Sequence, residues 1–278
     1  MNRTDTLLWL AIQEDVGYGD VTSQATIGPD LMGTAVVYGR EDFILSGSVA
    51  FRRVFELVDP DVRVEHLFRD GDLVKANAPA LRMAGRVRSL LTAERTALNL
   101  LQRLSGVATL TRRMVDAVAG TNCRLLDTRK TTPLWRELEK EAVRHGGGAN
   151  HRFGLSDGIL IKDNHIAAVG GVGEAVRRAR SAAPHVLKVE VEVEDLDGLR
   201  EGLEAGADII MLDNFSLDLM KEAVAINNGR ALLEASGGVK LETVRAIAET
   251  GVNFVSCGAL THSAKAIDIT MEMEFAQG

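Results

Sequence analysis

Three stretches concentrate the side chains that can do chemistry: Asp127-Thr128-Arg129-Lys130-Thr131-Thr132-Pro133, Gly146-Gly147-Gly148-Ala149-Asn150-His151-Arg152, and Leu160-Ile161-Lys162-Asp163-Asn164-His165. Between Arg124 and Lys162, eight Lys and Arg stand against five Asp and Glu, so this segment is +3 inside a chain of −7. Arg offers a rigid fork that matches carboxylate and phosphate geometry, and Lys a point charge. Arg129, Lys130, Arg152 and Lys162 converging on one mouth would therefore hold a polyanionic ligand. His151, flanked by Asn150 and Arg152 behind three glycines, reads as a ligand contact, while His165 is equally a ligand contact or a structural histidine. Arg136, Glu137, Lys140 and Glu141 read as a solvated helix face, because their spacing is that of surface ion pairs.

Glu192 and Asp213 follow consecutive apolar runs. A hard cation such as Mg²⁺ is held by one or two carboxylates with substrate phosphates completing its shell, which is the arrangement expected beside a diphosphate. Glu190, Glu192 and Glu194 taken alone would instead mark a solvent-facing edge strand. Two glycine-rich turns, Glu234-Ala235-Ser236-Gly237-Gly238 and Ser256-Cys257-Gly258-Ala259, let backbone N–H groups approach an anion and are candidates for a phosphate site. No Ser-His-Asp, Cys-His or zinc-ligand spacing is present, and Cys123 and Cys257 read as core residues.

The elements that must position these groups show two patterns. Up to about residue 110 the chain reads as a small α/β structure, with a helix around Leu7, Leu8, Ala11 and Ile12 capped by Thr4. Strands follow at 33–38, 62–67 and 81–87, and then a helix from Thr92. After Gly120, apolar strands at 123–126, 159–161, 186–193, 209–212, 231–233 and 254–257 alternate with helical stripes such as Leu196, Leu199 and Leu203. Such alternation implies parallel βαβ units and a closed or nearly closed barrel. In Lys188-Val189-Glu190-Val191-Glu192-Val193-Glu194 the valines take one face and the charges the other, which a barrel accommodates if the charges face its lumen.

The chain has 278 residues, 46% of them hydrophobic and 26% charged, as in a folded globular protein. A net charge of −7 disfavours nucleic acid as a partner. No apolar run reaches the ~20 residues that cross a bilayer, and the first twenty residues turn acidic before a signal-peptide core develops, so the expected location is the cytoplasm, away from membranes.

At these motifs the sequence resembles the quinolinate phosphoribosyltransferases, also called carboxylating nicotinate-nucleotide pyrophosphorylases. The likeness extends over EDVGYGDVT at 14–22, ERTALN at 94–99, DTRKTTP at 127–133, GGGANHR at 146–152, LIKDNHI at 160–166, EVEVE at 190–194, MLDN at 211–214, EASGG at 234–238 and GALTHS at 258–263. The resemblance implies an N-terminal α/β sandwich over 1–110, an incomplete TIM-like α/β barrel over 111–266, and a tail, 267–278, returning to the first domain. It also implies PRPP and Mg²⁺ without an organic cofactor, and a homodimer or higher even oligomer. Carried over by motif, Arg129, Lys130, His151, Arg152 and Lys162 surround quinolinate, and Arg95 reaches in from the partner subunit. Glu192 and Asp213 attend the ribose and the metal, while Ser236, Gly237 and Gly258 hold the 5-phosphate. Lys130, Lys162, Glu192 and Asp213 form the catalytic set. Phe43, Leu134 and Ser156 depart from the family pattern and are expected to alter the entrance. Two other readings stand beside this one: a family paralogue with altered substrate, against which the intact DTRKTTP and NHR motifs argue, and a non-catalytic, ligand-sensing barrel.

Overall fold

The computed structural model describes residues 2–274. In chain order the elements are α1 (Arg3–Val16), α2 (Val21–Thr26), β1 (Met32–Gly39), β2 (Phe43–Ile44), α3 (Ser48–Val58), β3 (Arg63–His66), β4 (Leu73–Val74), β5 (Pro79–Arg86) and α4 (Val87–Ala117). There follow β6 (Arg124–Leu126), α5 (Arg136–His145), β7 (Ile159–Ile161), α6 (Asp163–Val169), α7 (Val172–Ala182), β8 (Val189–Val193), α8 (Leu196–Glu204) and β9 (Ile209–Asp213). The chain closes with α9 (Leu217–Asn227), β10 (Leu232–Ser236), α10 (Leu241–Ala248), β11 (Phe254–Ser256), α11 (Ala259–His262) and β12 (Ile269–Glu274). No helix among the described residues is long and apolar enough to cross a membrane.

These elements form two units. The first takes residues 2–110, 133–147 and 264–274 of those described. Its four-stranded antiparallel sheet runs β12-β1-β5-β3, and β2 pairs β4 beside it. Alternation puts Ala35 and Val37 of β1, Leu81 and Met83 of β5, and Ile269 and Met271 of β12 on one face, which packs in a single cluster with Leu8 and Ile12 of α1, Phe51 and Phe55 of α3, and Leu90 and Leu98 of α4. The cap of α1 is Asn2, whose Oδ1 accepts the Asp5 N–H at 2.7 Å, and not Thr4. A short amide side chain placed before the first turn competes better for that N–H than a threonine already inside the helix.

Residues 133–147 were expected within the barrel domain, yet α5 packs in the first unit, with Trp135 and Leu138 against its core. This overturns the solvated-face expectation for Lys140, which is 2% exposed beside a fully buried Glu139. Arg103 Nη2 reaches Glu139 Oε1 at 2.9 Å. Phe43 is also buried in this core, so that departure bears on packing rather than on an entrance. Near the end of the described residues β12 runs antiparallel to β1, in register from Thr34↔Glu274 to Gly39↔Ile269, and 275–278 of the expected tail lie outside the described residues.

The second unit is a parallel six-stranded sheet in the order β6-β11-β10-β9-β8-β7, with helices between successive strands, an incomplete α/β barrel whose edges are β6 and β7. Leu199 of α8, Met220 and Ala223 of α9, and Val244 and Ile247 of α10 are buried, as their helical spacing requires. β8 pairs both β7 and β9, so it is an interior strand. Val189, Val191 and Val193 are buried on one side and Glu190 on the other, which places the charges in the lumen and removes the edge-strand alternative.

Leu134 holds φ at +70°, a left-handed conformation that glycine adopts freely and a leucine does not. Its side chain is 61% exposed, so little packing would be lost on removal. Relief of about 1–2 kcal/mol of strain outweighs the ~0.5–1 kcal/mol of chain entropy that glycine adds to the unfolded state. Leu134→Gly is therefore expected to stabilise the protein by up to about 1 kcal/mol in urea titrations, and a clear loss would show that the side chain packs.

Candidate active site

Parallel strands deliver their C-terminal ends to one edge, and six chemically active positions follow there: Asp127, Lys162, Glu192, Asp213, Ser236 and Gly258. Lys162 leaves β7 and its Nζ contacts Glu192 Oε2 on the adjoining strand β8. Its backbone N–H donates to His165 Nδ1 at 3.0 Å, and the His165 N–H returns to the Lys162 carbonyl at 2.8 Å. His165 thus closes the first turn of α6 through Nδ1.

Two of the three chemistry-bearing stretches are bound together through Asp127. This carboxylate is fully buried and accepts Asn150 Nδ2 at 2.6 Å and the His151 N–H at 2.8 Å. Ala149 bridges to the strand β6 itself, its N–H donating to the Leu125 carbonyl at 2.9 Å. Sequence reading saw Asp127 only as a residue after a strand; its reach of more than twenty residues to the next loop leaves no local signal. The loop is pinned from its other side as well, because Thr261 Oγ1 donates to the Lys130 carbonyl at 2.7 Å. Gly258 lies beside this loop too, where a Cβ would stand 2.9 Å from Lys130 Cδ and the lysine side chain would have to shift.

Arg129 lies close enough to Arg152 to disfavour the charge of that side chain. Arg152 is held below the ordinary arginine range, first by burial and then by Arg129, with Glu190 and Asp157 opposing. Its Nη1 donates to the Gly158 carbonyl at 2.9 Å, and its Nε is buried without a hydrogen-bond partner. Such an orphan donor costs about 1–3 kcal/mol unless an acceptor arrives. His151 behaves otherwise than expected. Its Nδ1 accepts the Arg152 N–H at 2.7 Å, while Nε2 lies 3.1 Å from Glu190 Oε2 and 3.7 Å from Glu234 Oε1. Both ring nitrogens are engaged within the protein, so the ring is not a ready donor to a ligand. A cavity of about 420 Å³ reaches His151, Arg152, Glu190 and Glu234 from the end where the strands begin, with Arg124, Ile159 and Phe254 in its lining, and not from the edge that carries Lys162 and Asp213.

At the far strands, Asn214 sits at φ +57°, its Nδ2 donating to Asp213 Oδ2 at 2.8 Å and its N–H to the Ser236 carbonyl at 2.9 Å. Gly237 has φ +98°, and a Cβ there would fall 2.1 Å from Asn214 Oδ1. The EASGG and MLDN motifs are thus one interlocked unit that presents Asp213, Ser236 and Gly237 together. Ser156 lies exposed in a loop ordered by Asp157, which accepts the Phe153 and Gly154 N–H groups. Arg95 lies in the first unit, exposed on α4.

Two carboxylates at the ends of neighbouring strands, Glu192 and Asp213, supply hard oxygen donors that suit a divalent ion, and Lys162 already sets a cation on Glu192. Cations on the first loops, carboxylates at the middle strands and tight glycine turns at the last two define an α/β-barrel site for a ligand bearing both carboxylate and phosphate. Comparison with known proteins agrees with that class. Residues 20–105 match the N-terminal domain, and 107–272 the C-terminal domain, of quinolinate phosphoribosyl transferase. The chain is 45% identical over 260 residues to the probable carboxylating nicotinate-nucleotide pyrophosphorylase of Bacillus subtilis, covering 94% of this chain and 90% of that protein. It is 45% identical over 269 residues to the Mycobacterium leprae protein, covering 95% and 94%. The structure of the nicotinate-nucleotide pyrophosphorylase from Francisella tularensis superposes with a TM-score of 0.94 at 43% identity over 98% of this chain and 96% of that one. The chain belongs to the quinolinate phosphoribosyltransferase family.

Gly237→Ala combines a disfavoured φ with a backbone-anchored obstruction at Asn214. It is expected to cost about 1–3 kcal/mol in thermal unfolding, and an unchanged midpoint would show that the two turns are not interlocked.

Proposed function

We propose that this chain transfers the phosphoribosyl group of PRPP to the ring nitrogen of quinolinate and removes the 2-carboxylate, giving nicotinate mononucleotide, CO₂ and diphosphate, a step of NAD biosynthesis. The observation that carries this reading is the partly buried Arg152, with the exposed Arg129 close enough to disfavour its charge and its own buried Nε lacking a partner. Two guanidinium groups set near one another suit anionic oxygens, and a vicinal pyridine dicarboxylate supplies four of them. Lys130 and Lys162 extend the cationic surface, and His151 supports it through Arg152. Ser236, Gly237 and Gly258 hold the 5-phosphate. Arg95 is donated by the partner subunit of a homodimer.

Bond cleavage at the ribose carbon passes through an oxocarbenium-like state, so the protein's contribution is alignment of the pyridine nitrogen and stabilisation of the separating charges. Glu192 and Asp213 face the ribose and would hold Mg²⁺, which when bound neutralises the departing diphosphate. In the second step the C2–carboxylate bond breaks, CO₂ leaves, and the electron pair stays on C2 beside the quaternised nitrogen. A solvent-derived proton then replaces the carboxylate. Arg129, Arg152 and Lys162 keep cationic charge near that carbon throughout.

Formation of nicotinate mononucleotide from quinolinate and PRPP tests the reading directly. Nicotinate lacks the 2-carboxylate, and loss of one Arg–carboxylate pair in a desolvated site costs roughly 2–5 kcal/mol, so kcat/KM should fall about 30-fold or more. Equal use of the two acids would overturn the assignment. Subunit mixing tests the partner arginine. Arg95→Ala and Lys162→Ala should each be inactive alone, yet their random exchange should restore about a quarter of wild-type activity, because about half the dimers are hybrids with one intact site. No recovery after verified exchange would remove Arg95 from the neighbour's site.

A further inference from the structure

Two buried acids have no task in this mechanism. Glu190 on β8 is 5% exposed and Glu234 on β10 is 1% exposed, and Oε1 of each has no hydrogen-bond partner. Both converge on His151 Nε2, and the three ligating atoms lie within 4.8 Å of one another. Buried anionic oxygens left in this way call for a proton or a cation. A metal ion would need the lone pair of Nε2. Because Nδ1 accepts the Arg152 N–H at 2.7 Å, the ring's hydrogen resides on Nε2 and points at the acids. That tautomer rejects a metal and leaves a proton as the group that fits.

The surroundings of Glu234 favour the same answer. Glu190 faces it from β8, His151 from the 149–152 loop and Ser256 from β11, and its charge reaches Cys123 ahead of β6. Burial, then the neighbouring Glu190, push the Glu234 carboxyl up to about 7, while His151 pulls it down. Glu190 in turn stabilises the charge of Arg152, so the acids and the ligand-seeking arginine share one field.

We propose that Glu234 is a positioning residue for the anion site: as a neutral acid it braces Glu190 and the His151 ring, keeps a single negative charge under Arg152, and so leaves that arginine able to take a dianionic pyridine ligand. The proposal rests on the functional reading above and deepens it. Ionised Glu234 would set a second carboxylate in the same lumen, where it competes for the cation and repels the ligand. The sign follows: the protonated form binds, so affinity is full below pH 7 and declines as pH rises through about 7. With one linked proton, the ligand should bind about tenfold more weakly at pH 8 than at pH 6. Both quinolinate carboxyls are already ionised over that range.

Calorimetric titration of the full chain with quinolinate, PRPP absent, from pH 6 to 8.5 is the test. The wild type should lose about tenfold in affinity between pH 6 and 8 and take up a proton on binding at pH 8. Glu234→Gln, which keeps the neutral shape, should bind within about threefold of wild type at pH 6 and stay flat to pH 8. A shared slope for the two proteins overturns the proposal, as does a Glu234→Gln protein that melts normally but does not bind. Should that variant fail to fold, proton uptake by the wild type decides, and its absence in two buffers of different ionisation enthalpy overturns the proposal. A wild type that binds quinolinate with no pH dependence removes this inference alone, whereas one that binds none at pH 6 removes the functional reading with it.

Discussion

Charge held inside a low-dielectric lumen is the constraint on which the barrel's arrangement depends. Glu190 and Glu234 oppose each other, His151 stands against both, and the partly buried Arg152 feels Glu190 from one side and Arg129 from the other. Isolated, Glu190 or Glu234 would cost several kcal/mol to bury. Together they are tolerable only in a fixed geometry, and fixed geometry is what an anion site needs. An edge strand in water could carry Glu190 at no cost and would orient nothing.

That geometry is maintained by contacts distant in sequence. Asp127 ties the 127–132 loop to Asn150 and His151, Thr261 ties the same loop to the end of the barrel, and Asn214 ties the ninth strand's turn to Ser236. Each tie joins two motifs, so the site's preorganisation lies in the loops' mutual bonds more than in any one strand. This explains why glycine stands at 237. There Asn214 of the neighbouring motif occupies the space where a side chain would go.

The barrel strands were legible because continuous apolar runs such as Ile209–Leu212 have no other use in a chain with acidic and basic punctuation. The strands β2 and β4 were not, since two residues each carry no periodicity, and β12 owes its existence to a partner more than two hundred residues away. Lys140 shows the limit of spacing arguments. Its i,i+3 and i,i+4 neighbours match those of a surface helix, but α5 is enclosed by the first unit, and enclosure is a tertiary fact. Within the site, residue types announced the cations and the Glu192–Asp213 pair. They could not announce that His151 spends both nitrogens internally, because its partners Glu190 and Glu234 are distinguished from other glutamates only by depth in the lumen.

Depth also separates two kinds of electrostatic work. At the strand ends Lys162 and Glu192 are partly solvated, so their charges can exchange partners with an arriving ligand at modest cost. Beneath them Glu190, Glu234 and His151 cannot be rehydrated easily, and the only inexpensive adjustment left to them is movement of a proton. A rim that can swap ion pairs above a floor that adjusts only by a proton lets the two depths of one lumen answer an arriving charge in different ways.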